Sequence, residues 1–407
     1  MQENNSISLK SAISLCLKAL FRNFKLRNVF TISNLFKLLF LYSFSIIWII
    51  VIDIDYSKNF WSKLLSNKLS KHRVSIYSVK DRVGEKTLYY RMLSSLDQSD
   101  IDYSGMLFTE ELTHFWLTKH FYITATSIIN YLAKPDFSIA LTHHVTIIPY
   151  GYNVTYLNMP SSALYDPNGG FFPKWKHLAQ YDVFADIYTF VHGSNPYLEK
   201  IIETEQLKNK KIIPTYLAQN FLEYSDSTIN TAIVTGTLWG CGRDSLRIAL
   251  ALKNLANENL LVAYGVKDYF KFLGNSYKGM FEEVGNILTS MPKIQKQYGI
   301  VLLIHNLEHS LDAIPTSRIS EGAASNTLII SDRHKFIEKV FGDNVLYFDA
   351  LGSNEEIYQQ IKKHILWARK NKVAAAQKAK NVYDIFSKNY TIERQFKTLM
   401  DNILSSR

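Results

Sequence analysis

What the chain lacks narrows it first. Its 407 residues hold two cysteines, Cys16 and Cys241, too few and too far apart for a disulfide framework or a cysteine zinc site. That usage fits a reducing compartment. Zinc-finger spacing and an aromatic RNA-binding signature are both missing, which puts nucleic acid last among partners. Neither G-x-G-x-x-G nor a P-loop occurs, and no repeat or low-complexity tract stands out. Acids are in deficit: 36 Asp and Glu stand against 46 Lys and Arg, a formal charge of +10. A basic surface suits phosphate-bearing ligands, an anionic membrane face or nucleic acid, without choosing among them. A spanning helix needs about 20 apolar residues. The most apolar window, residues 38–52 (LLFLYSFSIIWIIVI), offers only about 15.

What is present describes a globular α/β protein. Apolar residues make up 47% and charged ones 20%, and the length fits two domains of about 200 residues each. Residues 1–37 carry Lys10, Lys18, Arg22, Lys25, Arg27 and Lys37 against one acid, Glu3. Ile13, Leu17, Leu20, Phe21 and Phe24 recur there at helical spacing. Residues 8–27 therefore read either as a basic amphipathic helix on an anionic membrane surface or as a surface helix packed on its own domain. Residues 38–52 read as a buried first strand opening a parallel sheet and ending at Asp53-Ile54-Asp55. The alternative is a spanning helix, which would leave the rest of the chain lumenal.

From residue 56 to about 220, apolar runs alternate with helical stretches. Strands are expected at Val74–Val79, Gly105–Phe108, Phe137–Leu141, Val145–Pro149, Ile187–Val191 and Lys211–Tyr216. Helices are expected near 57–70, 85–96, 111–133 and 195–206. Between them lies a long loop, 158–176, where Pro160, Pro167, Gly169-Gly170 and Pro173 argue against regular structure. Loops of that length usually bind or cover something.

A second α/β unit begins near Asn230. A strand at Thr231–Thr235 runs into the glycine loop Gly236-Thr-Leu-Trp-Gly240-Cys-Gly242-Arg243, followed by a helix at Ser245–Ala256. Glycines between a strand and a helix let backbone approach a phosphate at the helix N-terminus; the same glycines also serve a plain tight turn. Further on, Ile300–Ile304 and Thr327–Ile330 are short buried runs. The first leads into His305 and His309, and between the two lies a helical segment with Arg318 and Glu321 three residues apart. That spacing also allows a plain ion pair on one helix face. Helices at Asn354–Trp367, Val373–Ser387 and Ile392–Leu404 close the chain.

Read together, Ser317-Arg318-Ile319-Ser320-Glu321-Gly322-Ala323-Ala324, then Ile329-Ile330-Ser331-Asp332, then Phe341-Gly342-Asp343 and Val345-Leu346-Tyr347-Phe348 resemble the donor-binding half of GT-B glycosyltransferases. The nearest likeness is to the bacterial family 1-type group. The resemblance covers about Thr231–Lys363. It implies a GT-B fold of two Rossmann-like domains across a cleft, and transfer of sugar from a nucleotide-sugar donor to a glycan or lipid-linked acceptor. No cofactor and no metal are implied, since a cation and helix amides at the leaving phosphate do the stabilising. It puts Gly236, Gly240, Gly242 and Arg243 at the phosphates, His309 and Arg318 near phosphate or sugar, and Glu321 on the donor ribose. Two positions depart from the family: Ile329 stands where retaining members carry a second glutamate, and Asn326 where glycine is usual.

The domains expected are an N-terminal segment 1–37, an acceptor-side domain 38–228, a donor domain 229–365, and helices 366–407 crossing back to the first domain. The acceptor's proton needs a base. Glu110, Glu111, His143, His144, Asp166 and His192 lie near predicted strand ends or in the long loop, unranked among themselves. The expected setting is a cytoplasmic enzyme peripheral on the inner face of the membrane, building a lipopolysaccharide- or capsule-type glycan.

Overall fold

The computed structural model describes residues 43, 54–56, 60–66, 70–79, 82–108, 128, 130–131, 134–141, 152–157, 165–166, 170–171, 186–191, 211–236, 243–280 and 290–405. Two separate sheets divide them. The first is ordered β1-β3-β2-β4-β5-β8-β9, from β1 (Ile54–Tyr56), β2 (His72–Val79), β3 (Ile101–Phe108), β4 (Phe137–Ala140), β5 (Asn153–Tyr156), β8 (Ile187–Phe190) and β9 (Lys211–Pro214). Every pairing is parallel except that of β1 with β3. The second is ordered β11-β10-β12-β13-β14 and parallel throughout. It is built from β10 (Thr231–Gly236), β11 (Leu261–Gly265), β12 (Gly299–Leu303), β13 (Leu328–Asp332) and β14 (Leu346–Phe348).

The second sheet shows why near-continuous apolar runs make parallel strands. Side chains alternate across the pleat, so Ala232, Val234, Ile300, Leu302, Leu328 and Ile330 fill one core with helix residues Leu252, Leu255, Ile357, Ile361 and Ile365. Their neighbours Ile233, Val301, Leu303 and Ile329 fill a second core with Ile319, Ala323, Ile337, Val382 and Phe386. Both faces are covered, so neither can be polar.

Helices complete the layers. Among the described residues they are α1 (Phe60–Leu65), α2 (Val83–Asp97) and α3 (Arg243–Asn257), α4 (Lys267–Phe270), α5 (Ser290–Tyr298), α6 (Leu307–Leu311), α7 (Ser317–Ala324) and α8 (Lys335–Phe341), and the last three, α9 (Asn354–Lys370), α10 (Lys372–Asn389) and α11 (Ile392–Leu404). A capping box opens α9: the Glu356 amide donates to Ser353 Oγ at 3.3 Å, and the Ser353 amide donates to Glu356 Oε2 at 2.8 Å. The crossing between halves falls later than residue 366. Helix α10 stays with the second sheet through Val382 and Phe386. Only α11 joins the first core, where Ile392, Phe396, Leu399, Met400 and Ile403 pack with Ile76, Phe137 and Ile139.

Several expectations need adjustment. The first described strand is the three-residue β1, antiparallel at a sheet edge. Residues 38–52, apart from Ser43, and the basic segment 8–27 lie outside the described residues; among those described, no helix is long and apolar enough to cross a membrane. The long loop holds a small hairpin, β6 (Tyr165–Asp166) with β7 (Gly170–Phe171). Strand β5 was unforeseen because Asn153-Val-Thr-Tyr carries a single aliphatic residue. Its burial is completed by Tyr156, whose hydroxyl donates to the Leu217 carbonyl at 3.3 Å.

Candidate functional site

The order of the second sheet reverses direction between β10 and β12: β10 leads outward to β11 on one side, and β12 leads to β13 and β14 on the other. In open parallel sheets, ligands bind beyond the carboxyl ends of the strands at that point. Arg318, from α7, occupies it. Its guanidinium donates to the Thr235 carbonyl at 2.8 Å and, more weakly, to the Ile304 carbonyl at 3.4 Å. One side chain thus bridges the ends of both strands that flank the reversal. Burial pulls the Arg318 pKa down, while Glu321 and Asp332 hold it up.

Gly236 ends β10 at φ +98°, in the left-handed region that favours glycine, and a Cβ there would lie 3.5 Å from Arg318 Nη1. Its partner across the ladder, Gly265, has no room for a Cβ because the Gly236 carbonyl fills the space. Helix α3 then begins at Arg243. Gly240, Gly242 and the Arg243 side chain lie outside the described residues, as do Glu110, Glu111, His143, His144, His192 and the side chain of Asp166.

Beside Arg318 sits a histidine group that the sequence marked only in part. His305 follows β12 with a fully buried side chain, and its Nδ1 lies 2.7 Å from Asp332 Oδ1 at the end of β13. A carboxylate accepts, so Nδ1 directs a proton at Asp332, while Nε2 has no partner among the described residues. His334 packs on His305 with ring centroids 4.3 Å apart and directs Nε2 at the Ile314 carbonyl, 3.2 Å away. The half-buried His309 lies on α6, whose cap is Asn306: Asn306 Oδ1 accepts from the His309 amide at 2.7 Å. Burial first, then the nearby His305, pushes His309 and His334 each down to about 4, so both rings are neutral at pH 7.

Glu321 forms its ion pair with a residue of the first domain and not with Arg318. Its Oε1 accepts from Arg91 Nη2 of α2 at 2.9 Å, and both residues are buried, at 2% exposure for Arg91 and 7% for Glu321. Arg91 and Asp332 are therefore structural partners of the site that sequence spacing missed. Their contacts join segments far apart in the chain, and only the Ser331-Asp332 strand ending hinted at the second. Both departures from the family pattern also acquire reasons. Ile329 is fully buried in the core beneath α7, where a glutamate would be stranded. Asn326 adopts φ +52°, a conformation Asn tolerates next best after Gly, and its amide donates to the Ser225 carbonyl at 3.2 Å.

With this geometry in hand, known proteins supply the comparison. A family model described as glycosyl transferase-like matches residues 250–401, a span that takes in Arg318, Glu321, His305 and Asp332. That match marks the second half of the chain as glycosyl transferase-like. Solved structures agree on the fold. HepE from Anabaena, in complex with UDP and glucose, aligns over 83% of this chain and 100% of its own, with 12% identity and a TM-score of 0.55. Sucrose-phosphate synthase from Thermosynechococcus elongatus covers 83% and 100% at 10% identity and a TM-score of 0.54. An apo OtsA structure covers 82% and 99% at 9% identity and a TM-score of 0.54. A search of curated proteins returns no match. The two sheets are the two Rossmann-like domains of that fold, and the Arg318 site belongs to the second.

Proposed function

We propose that the enzyme takes a nucleotide-sugar donor at the β10–β12 reversal and passes its sugar to a bacterial surface glycan, of lipopolysaccharide or capsule type, at the inner face of the membrane. The observation that carries this reading is Arg318, a cation fixed by two strand-end carbonyls where parallel sheets receive phosphate ligands. HepE, which shares the fold, is known in complex with UDP-glucose, which makes a UDP-sugar the first donor to try.

The chemistry follows from charge. As the sugar–phosphate bond breaks, negative charge builds on the nucleotide diphosphate. A preorganised cation and helix N-terminal amides stabilise that charge with no reorganisation at the moment of reaction. Arg318, Arg243 and the first turn of α3 are assigned this work, with the glycine loop Gly236–Gly242 wrapping the phosphates. The neutral ring of His309 is assigned a donor or acceptor contact to sugar or phosphate. The base that takes the acceptor hydroxyl's proton is assigned to the acceptor-side domain, among Glu110, Glu111, His143, His144, Asp166 and His192. Membrane contact rests on the basic charge of residues 8–27, and the acceptor class on the family's usual substrates.

The test is turnover of a panel of nucleotide sugars, read as nucleotide release with and without lipid-linked glycan extracts. One donor class should be consumed, with loss on Arg243→Ala. Consumption of none, or an unchanged rate in that variant, removes the proposal.

A further inference from the structure

We propose that Arg91 is a positioning residue for transfer: it holds the donor-site helix α7 in fixed register against the acceptor-side domain. This rests on the donor assignment made for Arg318, which lies on the same helix. The guanidinium of Arg91 projects from α2 of the first domain and divides its bonds. Nη2 donates to Glu321 Oε1 at 2.9 Å and Nη1 to the Ala218 carbonyl at 2.6 Å, in the segment that joins the two sheets. Helix α7 is gripped a second time just before its start, where the Tyr216 hydroxyl donates to the Thr316 carbonyl at 2.8 Å.

The same joining segment is tied to the return crossing. The Tyr216 amide donates to Gln395 Oε1 at 2.9 Å, the Ile392 amide to the Gln219 carbonyl at 2.9 Å, and the Phe221 amide to Glu393 Oε2 at 3.0 Å. Asn220 Nδ2 closes the set by donating to both the Arg91 carbonyl and Glu393 Oε1, each at 2.9 Å. Both passages of the chain between domains therefore converge on Arg91, and Arg91 reaches from there to the helix that carries Arg318.

Stability alone is a poor reason for such a pair. Desolvating two charges cancels much of their attraction, and apolar residues of similar volume often serve folding as well or better. A planar fork with two fixed acceptors instead specifies geometry. Geometry is what a two-substrate reaction needs: reacting atoms must meet within about 3–3.5 Å, and a misplacement of about 1 Å costs about 100-fold. The donor site sits on one domain and the acceptor site on the other, so a contact that registers α7 to α2 acts on the distance between them.

The test uses the full chain and the variant Arg91→Lys, which keeps a buried positive charge beside Glu321 and removes the planar fork. Removing either charge outright would strand the other and threaten folding. Three quantities are compared with wild type: UDP affinity by titration calorimetry, kcat with the nucleotide sugar that wild type consumes, and the small-angle scattering profile. The folded Arg91→Lys variant should bind UDP within about 3-fold of wild type while kcat falls about 100-fold, and its scattering should report an altered domain arrangement. A folded Arg91→Lys variant with wild-type kcat and wild-type scattering overturns the proposal. Failure of wild type to bind UDP would instead count against the UDP form of the donor assignment, and the scattering comparison would still decide the role of Arg91.

Discussion

Replacing Arg318 by Met keeps most of the stem and deletes the guanidinium. A hydrogen bond involving a charged group is worth about 1.5–3 kcal/mol. The 2.8 Å bond to Thr235 accounts for most of the loss and the 3.4 Å contact with Ile304 for little, so the cost to stability is about 2–3 kcal/mol. At about 2–4 °C per kcal/mol for domains of 150–250 residues, the melting temperature falls by about 5–10 °C. Turnover should suffer more. Removing one preorganised donor to developing negative charge costs about 100- to 1000-fold in kcat. Arg318→Lys keeps the charge but not the fork and should fall between. The assay is steady-state nucleotide release at saturating donor, run well below each variant's melting temperature. An Arg318→Met enzyme that melts early yet turns over at the wild-type rate would reduce Arg318 to a tie between two strands and refute its catalytic role.

Two further outcomes follow from the packing and the histidines. Phe396→Ala empties a site 3% exposed in the first core, beside Phe137 at 6.0 Å between ring centroids. It should cost about 3–5 kcal/mol by urea unfolding, whereas a loss under about 1 kcal/mol would mean that α11 contributes little there. Acid should also weaken the fold. His334 titrates near 4 when folded and near 6.5 when unfolded. The unfolded chain therefore takes up the proton first, and stability present above about pH 6.5 is lost as pH falls toward 4. At pH 5 the loss from His334 alone is about 2 kcal/mol, and equal urea midpoints at pH 7.5 and 5 would contradict it.

The second domain was largely legible in the sequence. Its strands are buried on both faces and read as plain apolar runs, and a glycine loop and helix at Arg243 announce themselves locally. Helix α11 was read with its bounds intact, because its apolar spacing and the Thr391 cap are local signals. The contacts that assemble the site were not legible. Arg91 looked like any helix charge because its partner lies 230 positions away. His334 carried no motif, and its meaning comes only from stacking on His305. Glu321 shows the same limit: its place in the family motif says nothing of the ion pair its Oε1 makes with Arg91.

The most direct test of the account is titration calorimetry of the wild-type chain with UDP, GDP, ADP and their sugars. The account predicts saturable binding to one site by one nucleotide class, with affinity lost in Arg318→Met. Heat-silent titrations across the whole panel, or binding untouched by that substitution, would contradict a donor site at the β10–β12 reversal.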